Sequence, residues 1–306
     1  MHNTVARVIS RIMYGVCIAC TVAILAVLVL VTGYLLSIGV SALHWSFFST
    51  DFIALGQPGA PGGMRNAIVG TLVLIALASV VGVPAGILCG IFLSEYEAGN
   101  WFTTPVRFVC DVLAGVPSIV VGVLGYEVLV AGAAKGWYHY VPYFNQISGY
   151  NGWAGGLALA FIMLPIVART TEEMLLLVPN SYREASIALG ATKATTILKV
   201  VLPSATASIV TGVMLAVARV AGETAPLLFT ALISQSMPIE VNGTFPYIHL
   251  LLNGPFPTLT VQAYNYAQDI DPGRQKLAWA GILMLIFIVF VLNLGVRFAT
   301  RTRRKA

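Results

Sequence analysis

The chain has 306 residues, of which 58% are hydrophobic and only 9% are charged. Soluble domains carry roughly 25% charged residues, so this composition excludes an ordinary soluble protein and predicts an integral membrane protein. The 17 Lys and Arg residues outnumber the 12 Asp and Glu residues, which gives a net charge of +5. This excess does not indicate nucleic-acid binding, because the basic residues cluster beside apolar segments and form no patch interleaved with aromatic residues.

Six apolar segments follow one another along the chain, each near the ~20 residues that a helix needs to cross a bilayer. They are about residues 12–38, 67–93, 108–131, 154–177, 204–233 and 277–298. The first is too long for the apolar region of a cleaved signal peptide, so we expect it to remain as an anchor. The predicted fold class is an all-α integral membrane protein with six transmembrane helices. One transmembrane domain, residues 12–298, lies between an N-terminal segment, residues 1–11, and a basic tail, residues 299–306.

Lysine and arginine are divided unevenly between the two sides of the predicted bundle, and cytoplasmic loops are the ones that collect them. One side holds Arg7, Arg11, Arg107, Arg183, Lys193, Lys199, Arg297, Arg301, Arg303, Arg304 and Lys305. The other side holds Arg65, Lys135, Arg274 and Lys276. This distribution predicts that both termini and the loop at residues 180–203 are cytoplasmic, and the even number of spans agrees.

Small residues and prolines predict how the spans pack. The second span has a small residue at every fourth position, Ala78, Gly82, Gly86 and Gly90, which predicts close contact with another helix. Prolines interrupt four predicted spans, at Pro84, Pro117, Pro165 and Pro226. Such breaks are tolerated in a membrane where neighbouring helices or a cavity satisfy the freed carbonyl groups. They suit a bundle that forms a channel, without proving one.

The four cysteines, Cys17, Cys20, Cys89 and Cys110, fall in or beside apolar runs. Free cysteine in such surroundings behaves as a small apolar residue. We therefore expect packing roles and no disulfide.

Residues 180–203, NSYREASIALGATKATTILKVVLP, lie between two apolar segments and carry charges that neither could hold. Ser181 and Glu184 have the S-x-x-E spacing of a capping box, which predicts a helix that starts just after Pro179. Gly190 is placed to end this helix, because glycine adopts the left-handed conformation of a helix C-terminus without strain. A helix of about nine residues is too short to persist in water alone, so it needs a partner surface.

One face of this short helix is narrow and mostly small. It carries Tyr182, Ala185, Ala188 and Leu189, and we expect it to enter a groove of a partner closely. Arg183 and Glu184 are expected to pair at the rim. The alternative is an ordinary amphipathic helix that lies on the membrane.

The order of residues in this segment is similar to that of a known element. Glu184-Ala185-Ser186, then Gly190, then a basic helix closed by Leu202-Pro203 resembles the EAA loop of ATP-binding-cassette (ABC) importer permeases. That resemblance implies docking into a separate ATPase subunit, which couples ATP hydrolysis to transport. The coupling residues it implies are Tyr182, Arg183, Glu184, Ala185, Ala188, Leu189 and Gly190.

Two arginines, Arg169 and Arg219, fall inside apolar spans. An arginine at a helix centre costs about 2.5–3.5 kcal/mol on insertion scales, so neither is expected to face lipid. Each has a glutamate four positions later, Glu173 or Glu223, on the same helical face. Arginine suits an oxyanion, because its planar fork can donate two parallel hydrogen bonds. The residues alone leave two interpretations of the Arg219–Glu223 pair open, a substrate pathway and a buried ion pair that braces the bundle.

Other polar residues stand beside these arginines. Thr224 adds a hydroxyl next to Glu223. Two interpretations of Glu172 are open, a substrate ligand and a solvated charge at the membrane edge. Asp111 and Glu127, near opposite ends of the third span, are expected to make interfacial or interhelical polar contacts rather than to bind substrate.

Three stretches closely resemble PstA-type phosphate ABC permeases: VARVAGETAPLLFTA at residues 217–231, LPIVARTTEE at 164–173 and LAGVPSIV at 113–120. The resemblance runs from about residue 64 through the last span, whereas the first 60 residues and the 234–276 loop carry little of it. It implies a type I ABC importer permease bundle that imports inorganic phosphate by alternating access. The pathway residues it implies are Arg169, Arg219, Glu223 and Thr224.

The same resemblance implies an assembly in the cytoplasmic (inner) membrane of a bacterium or archaeon. The partners would be a PstC-type sister permease, a dimer of PstB-type ATPase subunits and a PstS-type extracytoplasmic phosphate-binding protein. The sequence has no G-x-x-x-x-G-K-[ST] segment, and so no nucleotide-binding P-loop of its own. We expect no catalytic site and no cofactor bound by this chain, with ATP and magnesium on the partner ATPase.

Metal binding is not predicted either, because His2, His44, His139 and His249 are scattered over the terminus and the loops. Two alternatives to phosphate import stay open. One is an ABC permease for another oxyanion, such as sulfate or molybdate. The other is a stand-alone secondary transporter or membrane enzyme, against which the 180–203 segment argues, since a self-sufficient carrier needs no ATPase docking helix.

Overall fold

The computed structural model describes residues 2–51, 62–96, 101–132, 149–235 and 254–302. Within these residues the secondary structure is helical, with no β-strand. Lys135, His139, His249 and the tail residues Arg303, Arg304 and Lys305 lie outside the described part.

Ten helices organise the described chain, together with a five-residue helix at Trp45–Ser49. They are α1 (His2–Gly39), α2 (Arg65–Glu95), α3 (Thr103–Gly115), α4 (Ser118–Ala131), α5 (Gly152–Leu176), α6 (Asn180–Ala188), α7 (Lys193–Ala221), α8 (Ala225–Thr230), α9 (Leu259–Ala267) and α10 (Pro272–Thr302). By length and composition α1, α2, α5, α7 and α10 can each cross a membrane. Counting α3 with α4 as one bent span raises the number to six.

Two of the predicted spans are broken near the prolines that are predicted to interrupt them, Pro117 and Pro226. The predicted span at 108–131 bends by 102° between α3 and α4, where Pro117 directly precedes Ser118. Proline disfavours helical backbone in the residue before it, and Val116 is accordingly extended. The predicted span at 204–233 ends at Ala221 and resumes as the short helix α8, with Pro226 in its first turn.

Pro84 and Pro165 behave differently, because each lies inside an unbroken helix, α2 and α5 respectively. The prediction that all four prolines interrupt their spans is therefore wrong for these two.

The bundle is centred on the contact between α2 and α5. A Cβ added to Gly86 would stand 2.7 Å from Val167 Cβ, and one added to Gly90 would stand 2.6 Å from the Ala168 carbonyl oxygen. Both are closer than real Cβ atoms approach, so only glycine fits at these positions. The close helix contact predicted from the small-residue spacing is confirmed.

One end of the bundle collects the charged loop. Glu95, the last residue of α2, meets Arg183 of α6 there, and Lys193 Nζ lies 4.6 Å from the centroid of the Tyr96 ring. We call this the basic end. At the opposite end, α9 packs against α10 and α2, and the residues that lead into it, 256–259, are buried.

Candidate functional site

The short helix α6 begins directly after Pro179, as predicted. It starts at Asn180, its N-cap is Pro179, and no side chain caps it. Ser181 therefore lies inside the first turn, and the predicted capping box of Ser181 and Glu184 is wrong. Pro179 has φ −58° and ψ 140°, the non-helical backbone of an N-cap, so helical geometry begins at Asn180.

The predicted end of α6 is confirmed at Gly190, which has φ +84°. The Gly190 N–H donates to the Ile187 carbonyl at 2.9 Å, and the Ala191 N–H donates to the Ser186 carbonyl at 3.2 Å. These two bonds form a Schellman motif, which satisfies carbonyls that the helix end would otherwise leave free.

The face of α6 predicted to dock is solvent-exposed. Tyr182, Glu184, Ala185 and Ala188 are exposed, and Leu189 is the extreme case at 89%. No residue of α6 is buried within the described chain. Ile187, which the sequence reading left out, is also exposed and widens the apolar surface. Exposed apolar surface of this kind occurs at sites that contact another protein or a membrane.

Arg183 lies on the other side of α6. Its guanidinium reaches Glu95 at 2.7 Å and donates to the carbonyls of Leu175 and Val178 at 2.9 and 2.6 Å. The Arg183 side chain is 18% exposed and that of Glu95 only 6%. The predicted pairing of Arg183 with Glu184 at the rim is not what the structure shows. Arg183 instead anchors α6 to the ends of α2 and α5.

A second charged cluster joins α3 to α5. Glu172, 2% exposed, accepts from Arg107 at 2.6 Å and from Arg169 at 2.6 Å. Arg169 also reaches Asp111 at 2.8 Å. Glu172 is therefore not a solvated charge, and Asp111 makes the interhelical contact expected of it.

The four-residue spacing of Arg169 and Glu173 does not produce an ion pair among the described residues. Glu173 is exposed, and Arg169 turns to Glu172, three positions away. The two arginines and two carboxylates of this cluster balance in formal charge. Balanced pairing of this kind is what makes buried charges tolerable.

One face of α7 is exposed along most of the helix and is polar except at Leu215. Ser204, Ser208, Thr211, Leu215 and Arg219 are all exposed, and their spacing of three or four residues places them on one side. From Ser204 to Arg219 this face extends about 22 Å at 1.5 Å per residue. The Ser204 and Thr211 hydroxyls donate to the carbonyls of Val200 and Ala207, at 2.6 and 3.0 Å. Their oxygens remain available as acceptors. We call this the polar face.

The polar face ends at a break in the backbone. The N–H groups of Gly222 and Glu223 donate to the carbonyls of Arg219 and Val220, both at 3.1 Å, and helical geometry stops there. The prediction that Arg219 and Glu223 lie one turn apart on the same helix is therefore wrong. Within the described residues no ion pair of 4.0 Å or less joins them. The brace interpretation loses its geometric support.

Arg219 and Glu223 line a narrow cavity against the α3–α4 break. Leu113, Val116 and Ser118 form one wall, and Ile162 of α5 forms another. The space open to the centre of a water molecule is about 10 Å³. That is roughly one water, so an oxyanion does not fit here in this conformation. Thr224, half-buried, follows Glu223 directly.

Sequence reasoning missed two residues here. Ser118 shares the cavity with Arg219, and the hydroxyl of Thr260 donates to the Glu223 carbonyl at 3.0 Å. Ser118 follows Pro117 in a recognisable stretch and could have been found, whereas Thr260 is distant in sequence and has no local signal.

Comparisons with known proteins show the family of this chain. Residues 82–305 match the family described as binding-protein-dependent transport system inner membrane component. A methionine ABC transporter, MetNI, solved in inward-facing conformations, has a chain with TM-score 0.56 and 18% identity. That match covers 78% of this chain and 92% of the other, and it shows the fold alone.

Relatives by sequence carry one recurrent name, phosphate transport system permease protein PstA. The Yersinia pestis protein is 41% identical over 78% of this chain and 72% of its own length. The Pasteurella multocida protein is 39% identical over 78% and 77%. A Mycobacterium bovis protein, PstA 2, is 32% identical over 98% and 90%. The chain therefore belongs to the binding-protein-dependent transport system inner membrane component family, among its PstA-type permeases.

Proposed function

We propose that this chain is a translocation subunit of an ABC importer that moves inorganic phosphate into the cytoplasm by alternating access. The observation that carries this proposal is the polar face of α7, which ends at Arg219 beside Glu223. A span with exposed hydroxyls and an arginine is costly against lipid, so this face suits a water-filled passage shared with a second permease. The names of the relatives supply phosphate as the substrate.

Phosphate suits the pair at the end of this face. Arg219 carries no carboxylate partner in the described structure and can offer its planar fork to an oxyanion. Phosphate near neutral pH still carries a proton, whereas sulfate carries none. An ionised Glu223 accepts a hydrogen bond from the phosphate hydroxyl and repels sulfate in a poorly hydrated passage. Thr224 adds a hydroxyl beside them.

Arg169 serves the pathway differently in this proposal. Asp111 is 51% exposed, whereas Glu172, the other partner of Arg169, is buried. An incoming phosphate can replace the accessible carboxylate of Asp111 and leave Glu172 in place. Arg169 is then a relay arginine nearer the basic end, and Arg107 keeps Glu172 paired throughout.

The exposed face of α6 docks into a separate ATPase in this proposal. The docking residues are Tyr182, Glu184, Ala185, Ala188, Leu189 and Gly190, with Ile187 added. Arg183 contributes from the inner side, because it ties α6 to α2 and α5 and lets the helix move with them as a unit. Transport then needs a PstC-type permease, a PstB-type ATPase dimer that holds ATP and magnesium, and a PstS-type binding protein. In this proposal the basic end and both termini lie in the cytoplasm.

The test is transport by the purified assembly in proteoliposomes. The ATPase side faces the medium, and the binding protein with labelled phosphate is enclosed. We expect ATP-dependent release of phosphate that stops when ATP, the ATPase or the binding protein is omitted. Phosphate that does not move, in an assembly that moves sulfate or molybdate with the matching binding protein, would assign this chain to another oxyanion.

A further inference from the structure

Two hydrogen bonds bracket the short helix α8 from outside its own segment. Before α8, the Glu223 carbonyl accepts the Thr260 hydroxyl at 3.0 Å. After α8, the Ala231 carbonyl accepts the Phe256 N–H at 2.8 Å. Thr260 and Phe256 lie four positions apart at the start of α9, so one short stretch holds both ends of α8. We call these two contacts the α8 clamp.

The stretch that forms the clamp is itself fixed. Phe256 and Leu259 are each 1% exposed. The Leu259 N–H donates to the Thr71 hydroxyl of α2 at 2.8 Å, in a buried position. The Pro257 carbonyl lies so close to Gly70 that a Cβ on Gly70 would collide with it. The clamp is therefore part of the packed body, not of a loose loop.

The Glu223 carbonyl needs a donor from elsewhere because it falls between two helices. α7 ends at Ala221, and the first bond into α8 runs from the Leu228 N–H to the Thr224 carbonyl at 3.1 Å. Among the described residues, the Thr260 hydroxyl is the donor that reaches the Glu223 carbonyl. If α7 continued for one more turn, Glu223 would stand on the same face as Arg219 and neutralise it.

We propose that Thr260 is a positioning residue of the pathway: its hydroxyl holds the Glu223 turn out of helical geometry and so keeps Arg219 available to the substrate. This inference rests on the proposed function, because it assigns Thr260 to the same site. Loss of the hydroxyl lets the turn relax toward helix, and Arg219 pairs with Glu223 in part of the molecules. Those assemblies hydrolyse ATP without moving phosphate.

The test compares three substitutions in the complete assembly, with phosphate moved per ATP hydrolysed as the readout. Thr260→Val removes the donor at nearly constant volume, and Thr260→Ser keeps it. Thr258→Val is the matched control, since the Thr258 hydroxyl is buried two positions away with no hydrogen-bond partner in the described chain. A variant that merely folds less well lowers both rates together and leaves their ratio unchanged.

Losing one neutral hydrogen bond shifts the balance between turn and helix by about two- to tenfold, so we expect Thr260→Val to lower the ratio by at most about that factor. Thr260→Ser and Thr258→Val should stay at the wild-type ratio. An unchanged ratio in Thr260→Val, or an equal loss in Thr260→Ser, overturns this inference and leaves the proposed function standing. A wild-type assembly that moves no phosphate would instead remove the proposed function.

Discussion

Replacing Arg183 by methionine removes the anchor of α6 while keeping most of the aliphatic length. The guanidinium contacts Glu95 at 2.7 Å and the carbonyls of Leu175 and Val178 at 2.9 and 2.6 Å, and methionine can donate to none of them. Removing one partner of a buried ion pair costs about 3–5 kcal/mol, because the other charge is left buried. Arg183 keeps some contact with water, so we expect about 2–3 kcal/mol, below that range.

A loss of this size should raise the undocked population of α6 by about 30- to 150-fold, since 1.4 kcal/mol is a factor of ten. Hydrogen–deuterium exchange of the α6 amides measures it, with the permease in lipid nanodiscs and no ATPase present. The double variant Glu95→Gln/Arg183→Met should lose less than Arg183→Met, because no charge is then buried alone. Equal exchange of α6 in the wild type and Arg183→Met would refute the anchoring role.

The other predictions concern the exposed side of α6, the Glu172 cluster and the cysteines. Glu184→Lys and Ala185→Trp should leave hydrogen–deuterium exchange of the α6 amides unchanged in the permease without the ATPase, but should abolish the stimulated ATP hydrolysis of the assembly. Full phosphate uptake by both variants at normal expression would contradict the docking role. Glu172→Gln should lower the thermal stability of the purified chain more than Asp111→Asn, because Glu172 is buried between two arginines and Asp111 is half exposed; equal losses would contradict this. Replacing all four cysteines by Ala or Ser should leave uptake largely intact, since all four are free thiols in the structure; rescue only by an oxidisable pair would show a disulfide at work.

The helical fold follows from composition, because a bilayer leaves a chain this apolar few alternatives to helices. The positions at which helices break do not follow from composition. Pro117 and Pro226 stand at breaks, whereas Pro84 and Pro165 sit inside α2 and α5. The residue type is the same in all four cases. What differs is the packing around each proline, which one sequence does not show.

The candidate site likewise combines features that the sequence predicts with contacts that it does not. The stop at Gly190 is local, since it depends on the conformational freedom of one residue, and the sequence predicts it. The partners of Arg183 and Arg169 are set by packing. Glu95 lies 88 positions before Arg183, and the choice of Glu172 over Glu173 depends on which side of α5 meets α3. Periodicity alone cannot decide such contacts.

The direct test of the central claim is anion selectivity at Arg219 and Glu223. In proteoliposomes with the ATPase side outward, sulfate added to the medium reaches the cytoplasmic face of the pathway without passing through the binding protein. For the wild type we expect ATP-driven phosphate release that sulfate barely slows. Arg219→Lys should weaken release, because a point charge lacks the two-pronged fork. Glu223→Gln should make release sensitive to sulfate, because an amide both donates and accepts. If sulfate slows Glu223→Gln no more than the wild type, and Arg219→Lys transports normally, this pair does not select phosphate and the pathway lies elsewhere.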